Sequence, residues 1–389
     1  MTASVTEQQW DAVRGSVRTT ADRFCELVAS IPDPGTRATA TWSVADMTAH
    51  VTTVSFLNTL LLQAAPVPFD MPGLTAAIAG TTIETVDGLN DQVMSHFTER
   101  EAGRLLEILR DHIGLMLTAS QDRDPAETFS WLGGARLPLT GMFAHMLNEL
   151  LIHGDDIARA TGARWAMPAA DAALFFDLFL IGLASGNTGH LLDGSKRPLR
   201  RRIAVEFRSG YTTPVTFVVR NGTVTAEPPG PGADAAVRFD PATLNMMLFG
   251  RISKPRAVLT RKIVISGRRP WLMPAFLRTV RLPSLAKDQQ DQPRHGQHRG
   301  GPPALPGPLC RAGAACRRNR MLVPGVLRTG APDRGRSRVM HVFQRSRTVI
   351  SGTLIAAAAA ISVAALPAPG GDRQQRPAAP LADPERAGA

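Results

Sequence analysis

Near residue 200 the hydrophobic repeat of the chain changes from a helical period to a strand period, and this change divides what the chain can fold into. Before it, Val5, Trp10, Val13, Val17, Phe24 and Leu27 sit close to helical spacing and predict a helix over 5–30, ended by the turn sequence IPDPG. Ser43 is a natural N-cap for a second helix running through Val44, Met47, Val51, Val54 and Leu57. Residues 81–119 read as one long helix or two joined ones. Segments 138–160 and 168–184 give two more, separated by Thr161-Gly162 and Met167-Pro168. Four or five helices at this spacing are the pattern of a bundle, assigned here to 1–190.

Beyond residue 200, IAVEF, VTFVV, TVTAE and AAVRF carry β-branched and aromatic residues at period two. Asn221-Gly222 between the second and third is a type I′ hairpin signal, because both central residues of that turn need positive φ. Asp240-Pro241 opens a short helix, ATLNMMLFG. KIVISG supplies another strand, and a last helix is expected at 271–280. The fold class is therefore two-domain α+β, with a helical bundle followed at 198–284 by a small α+β domain built on an antiparallel sheet. The polar, basic join near 194–202 makes the two domains separable units by expectation.

Residues 287–339 mix Arg, Gly, Pro, Ala and Gln with hardly any periodic apolar face, and disorder is expected there. Residues 340–389 begin with Met340 and HVFQRSR, followed by an apolar run over 349–366. That run has two readings: a membrane anchor, or the signal-like start of a separate exported sequence joined by frameshift or fusion. The second is favoured, because alanine inserts weakly and no Trp or Tyr marks an interface.

The formal charge of +11 belongs mostly to this tail: 16 Lys/Arg face 6 Asp/Glu from Lys287 onward, leaving 28 against 27 in 1–286. Specific nucleic-acid binding is not expected, since the basic tail lacks the interleaved aromatics that stack on bases. Cys25, Cys310 and Cys316 are too scattered for a disulfide framework or a zinc ribbon, and the N-terminus lacks a basic start and apolar run. A cytoplasmic location is expected. Cys25 reads as a core residue.

The sharpest local feature is Glu149-Leu-Leu-Ile-His153, whose two polar residues project from one helix face and can reach a single ion. Alone, such a pair also fits a solvated helix face. His50 lies on the second helix between Met47 and Val51, in an apolar setting that suits either a core histidine or a ligand. Two imidazoles and a carboxylate on facing helices of a bundle form a three-donor site for a divalent metal, with zinc the natural choice. His145 lies one turn before Glu149 and is read as supporting or structural. Asp156 is placed to accept the other imidazole N–H of His153.

TWSVADMTAHV, followed about 100 residues later by GMFAHMLNELLIHGDDIARATG, resembles the mycothiol-dependent maleylpyruvate isomerase family, a branch of the DinB-like bundles. The resemblance covers roughly 5–185. It implies a zinc site at His50, Glu149 and His153 and mycothiol as thiol cosubstrate. The chain departs from the family pattern at Asp155, where an aromatic residue usually follows His-Gly. The second domain resembles a sterol-carrier-protein-like fold through VTFVVRNGTVTAE and the FGR and ISGR segments. There Met246, Met247, Leu248 and Phe249 can line an apolar cavity or pack a core. Arg251, Arg261, Lys262, Arg268 and Arg269 can meet an anionic ligand or solubilise a face.

Two functions compete. The first is a zinc-containing, mycothiol-dependent isomerase or S-transferase acting on a small electrophile. The second is a carrier of a lipid or other apolar ligand, in which the bundle is structural.

Overall fold

The computed structural model describes residues 5–82, 85–186 and 201–280. The expectations for 287–339 and 340–389, including the run over 349–366, fall outside these residues. No helix among the described residues is long and apolar enough to cross a membrane.

The first part is a helical bundle. Helix α1 (Glu7–Ala29) starts with a capping box in which Thr6 and Gln9 satisfy each other's backbone N–H groups. Helix α2 (Val44–Leu61) starts the same way from Ser43 and Asp46. Short helices α3 (Leu74–Gly80) and α4 (Val86–His96) precede α5 (Ala102–Ala119), so the expected 81–119 region is two helices. A small hairpin, β1 (Thr128–Ser130) with β2 (Arg136–Pro138), leads into α6 (Leu139–Thr161). Gly162 ends α6 at φ 72°, the left-handed cap that glycine adopts without a Cβ penalty. Helix α7 (Ala169–Leu174), a π turn (Phe175–Leu180) and α8 (Ile181–Gly186) then follow without a break.

Two helices occupy the centre. In α2, 16 of 18 residues are buried and in α6, 19 of 23, which is the signature of a helix surrounded on all sides. Helix α2 buries a polar sequence whose hydroxyls are satisfied within the helix itself. Thr48, Thr52, Thr53, Ser55 and Thr59 each return a hydroxyl to a carbonyl three or four residues back. Phe24, Met47, Leu109, Phe143 and Leu147 pack in the core around the two helices.

The second part is a five-stranded sheet in the order β5-β4-β3-β6-β7, formed by β3 (Ile203–Arg208), β4 (Val215–Arg220), β5 (Thr223–Glu227), β6 (Ala235–Phe239) and β7 (Ile263–Ser266). The hairpin between β4 and β5 turns at Asn221 and Gly222, both at positive φ (53° and 89°), as the type I′ signal requires. The sheet is mixed rather than wholly antiparallel, because β6 pairs parallel with β3, Val205 opposite Ala235. Residues 228–234 carry the chain from the β5 edge back beside β3. Period-two alternation reveals which face a side chain takes but not which strand lies next to it.

Helix α9 (Pro241–Leu248) is capped by Asp240, α10 (Lys254–Leu259) by Ser253, and α11 (Met273–Thr279) follows a 3₁₀ turn at Pro270–Leu272. The π turn joins the two parts. Phe176 meets Phe207, Phe217 and Phe239 of the sheet, while Phe175 stacks on Phe179 and meets Phe249.

A candidate metal centre inside the bundle

Because α2 and α6 are both central, the polar residues on their facing sides meet in the interior. His50 comes from α2, and His145, Glu149 and His153 stack along α6 at successive four-residue intervals. Glu149 is wholly buried and is the hub of the cluster. Its Oε2 lies 3.3 Å from His50 Nε2 and 3.2 Å from His153 Nε2, and its Oε1 lies 3.4 Å from His145 Nε2. Ligand atoms of His50, Glu149 and His153 all fall within 4.8 Å of one another, so this buried group can hold a divalent metal ion.

The donor chemistry fits such an ion. Burial presses the pKa of His50 down, and that of His145 down to about 4, so both imidazoles stay neutral. Burial alone raises Glu149, but its contacts with His153 and His50 and the field of His145 outweigh this and keep it ionised. The result is a fully desolvated carboxylate among imidazoles whose ring nitrogens converge on it. That is costly for an anion without a cation and favourable once one sits among the donors.

Further shells fix the donors. His153 Nδ1 faces Asp156 Oδ2 at 3.3 Å. Burial lowers His153, but Asp156 and Glu149 reverse the direction and raise it. Asp156 is held low, at about 2, because His153 and Arg251 overcome the effect of its own burial. Arg251 lies just beyond α9. Its Nε donates to Asp156 Oδ1 at 3.0 Å and its Nη2 donates to Oδ2. The sheet region therefore reaches the cluster through Arg251.

Trp42, next to the α2 cap, lies over His50 with ring centroids 4.8 Å apart and over His153 at 6.3 Å. Trp131 and Phe179 enclose His145 at 5.1 and 5.3 Å. Trp165 lies across α6 at Gly154 and donates its indole N–H to Leu151 O at 2.9 Å. Asp155 pairs with Arg159 at 2.6 Å.

The sequence reading foresaw the grouping of His50, Glu149 and His153, and His145 and Asp156 lie beside that group. It missed the Trp42 wall and gave Arg251 no role at the cluster. A tryptophan beside the helix cap in TWSVADM was the available signal for the first, and nothing local signals the second. Cys25 is core, with burial raising its thiol to about 11. Met247 and Leu248 line an apolar cavity in the sheet region, whereas Met246 and Phe249 are buried in the core without lining it. That cavity shares no residue with the imidazole cluster.

Among solved structures, the chain is similar to "Crystal structure of the mycothiol-dependent maleylpyruvate isomerase" at 12% identity and TM-score 0.37, covering 66% of this chain and 92% of that one. A histidine-to-alanine mutant of that enzyme gives 13% identity and TM-score 0.38 with the same coverage. A double mutant of a sec-alkyl sulfatase matches at 14% identity and TM-score 0.22, covering 49% of this chain and 26% of that one. No curated protein matches the chain. The model of the mycothiol maleylpyruvate isomerase N-terminal domain matches residues 13–158, a span that contains His50 of α2 and Glu149 and His153 of α6.

Proposed function

We propose that the chain is a zinc-containing, mycothiol-dependent enzyme acting on a small electrophilic substrate, an isomerase or S-transferase of the maleylpyruvate isomerase type. The buried His50, Glu149 and His153 group carries this reading, supported by the family of the domain in which it lies. His50 and His153 offer Nε2 and Glu149 offers a carboxylate oxygen, the three-donor set of a catalytic zinc with one position open. A bound zinc supplies thiol activation, lowering the pKa of a low-molecular-weight thiol so that it is held as thiolate.

The protein's own residues do the rest. Asp156, with its Oδ2 3.3 Å from His153 Nδ1, favours the tautomer that carries its proton on Nδ1 and leaves the Nε2 lone pair free. Trp42 shields the two imidazoles from water. In the isomerase form, the thiolate adds to one carbon of an activated alkene and the electron pair moves to the adjoining carbonyl. The former double bond rotates, and elimination of the thiolate restores the alkene. In the transferase form the thiolate displaces a leaving group and keeps the new C–S bond. The test is metal analysis of the purified chain combined with thiol consumption or alkene isomerisation on electrophilic acids. Protein free of stoichiometric metal, or wild type and His153→Ala equal in both assays, would reject the reading.

One observation favours the second reading, a carrier of a lipid or other apolar ligand. A cavity of about 120 Å³ lies among Phe207, Phe217, Val237, Met247 and Phe276, with Lys254 as its polar member. A single water needs roughly 10–15 Å³ on this scale together with polar partners, so the volume admits solvent but the apolar lining suits an apolar chain better. Mass spectrometry of solvent extracts distinguishes the two: a co-purifying amphiphile in metal-free protein supports the carrier.

A further inference from the structure

We infer that the face built by α10, β7 and the turn after them docks on an anionic lipid surface. This does not rest on the metal reading. Residues 251–280 contain eight Lys/Arg and no Asp/Glu. Three of the eight are neutralised by carboxylates from elsewhere: Arg251 by Asp156, Lys262 by Asp240 at 3.7 Å and Arg269 by Asp234 at 3.0 Å. Lys254, Arg256, Arg261, Arg268 and Arg278 take part in no ion pair among the described residues. A nearly neutral body thus carries five cations without an ion pair in this one stretch, Lys254 lining the apolar cavity and Arg268 lying on the other side of the sheet beside Glu206 and Arg208.

The same stretch is where apolar side chains are left in water. Seven large hydrophobic residues are exposed among the described residues, and five of them, Val258, Leu259, Val264, Ile265 and Trp271, lie within fourteen positions. Leu259 is 82% exposed and Trp271 68%. Val264 points to the opposite side of β7 from the cavity-lining Ile265, so Val258, Leu259, Ile265 and Trp271 are the apolar residues that concern this surface; isolated exposed apolar residues need no explanation, but several together mark an interaction surface. Strand β7 is an edge strand, and cations alone would be ordinary protection of such an edge. Edge protection does not account for an exposed leucine and tryptophan beside the cations.

Cations flanking an exposed aromatic and aliphatic group are the pattern of an interfacial membrane contact, in which the charges meet lipid phosphates and the apolar tips enter the headgroup boundary. Two other occupants fit less well. A second copy placed edge to edge would set one run of cations against another. Nucleic acid would match the cations, yet four of the five apolar residues are aliphatic and offer no plane for base stacking. Val258 and Ile265 are exposed and also line the apolar cavity, as does half-buried Lys254, so docking would turn the cavity mouth toward the lipid.

The test is sedimentation of the full chain with phosphatidylcholine vesicles, with and without phosphatidylglycerol. Wild type should bind only the anionic vesicles, with affinity falling as salt rises. Leu259→Asp with Trp271→Asp, and separately Arg256→Glu with Arg261→Glu, should each weaken binding at least tenfold while leaving the melting temperature unchanged. Trp271 emission should shift to the blue on anionic vesicles, a shift absent in Trp271→Phe. Variants that bind as tightly as wild type would move the binding to the basic residues after 286 and overturn the proposal. Equal binding to neutral vesicles, or a dimer abolished by Leu259→Asp without vesicle binding, would overturn it as well.

Discussion

Arg251 grips Asp156 through two guanidinium nitrogens across 95 residues of sequence, and Asp156 in turn faces His153 Nδ1. A residue of the sheet region thereby sets the orientation of a histidine at the centre of the bundle. The pair is nearly buried, 12% and 8% exposed, so removing one partner leaves the other without compensation.

Arg251→Met should therefore do two things. Stability should fall by about 3 kcal/mol, the scale for breaking a buried pair from one side. Metal retention, read by competition with a chelator, should weaken roughly 10–100-fold as His153 loses its fixed orientation. Arg251→Lys should recover part of the stability and less of the retention, since an ammonium cannot reproduce the two-pronged contact. Retention equal to wild type in both variants would show that the link does not reach the metal.

The donor assignments separate by mutation. His50→Ala, His153→Ala and Glu149→Gln should each reduce metal content of the purified protein severely, because each would remove one of the three donors proposed for the ion. His145→Ala should leave most of the metal in place and act chiefly on packing, since His145 meets the other Glu149 oxygen between Trp131 and Phe179. Elemental analysis of the four variants at one pH checks this; loss of metal in His145→Ala alone would reverse the assignment.

The parts of the site that lie on one helix were legible in the sequence, and the parts that depend on a distant partner were not. Ser43 announced the start of α2 and Gly162 the end of α6, and the four-residue step from Glu149 to His153 placed both on one face before any fold was known. His50 was harder to read. An apolar setting suits a core histidine and a ligand alike, and only the central position of both helices brings it to Glu149. Arg251 stood in a basic stretch with several equivalent readings, and its choice of Asp156 depends on how the sheet region packs against α6. The parallel pairing of β3 with β6 was hidden for a similar reason, since each strand's pattern reports its own faces and not its neighbour.

Gly154 shows how close packing constrains the same helix. A Cβ at this position would lie 2.3 Å from the Trp165 ring, and the Arg23 guanidinium lies over that ring 4.6 Å from its centroid. Gly154→Ala should push the indole off α6, break its hydrogen bond to Leu151 and cost about 1–3 kcal/mol. A thermal melt reads the loss. The double variant Gly154→Ala with Trp165→Leu should lose less than the two single changes summed, because the smaller side chain relieves the clash.

The junction between the π turn and the sheet should give the protein a measurable acid dependence. Asp177 on the π turn accepts the Thr213 backbone N–H at 3.2 and 3.1 Å, but burial dominates and raises its pKa from 3.8 to about 6. A carboxyl whose folded pKa is raised stabilises the folded state in its protonated form. That contribution is complete below the unfolded value near 4 and is lost as pH rises through 6. Two pH units correspond to about 3 kcal/mol at most, and partial solvent contact reduces this to on the order of 1–2 kcal/mol. Asp177→Asn keeps an oxygen for the Thr213 N–H and removes the charge. The variant should match wild type near pH 4 and exceed it by that amount above pH 7, as read by urea unfolding at the two pH values. A variant less stable than wild type at neutral pH would mean that the ionised carboxylate is held by its hydrogen bonds more strongly than burial opposes it.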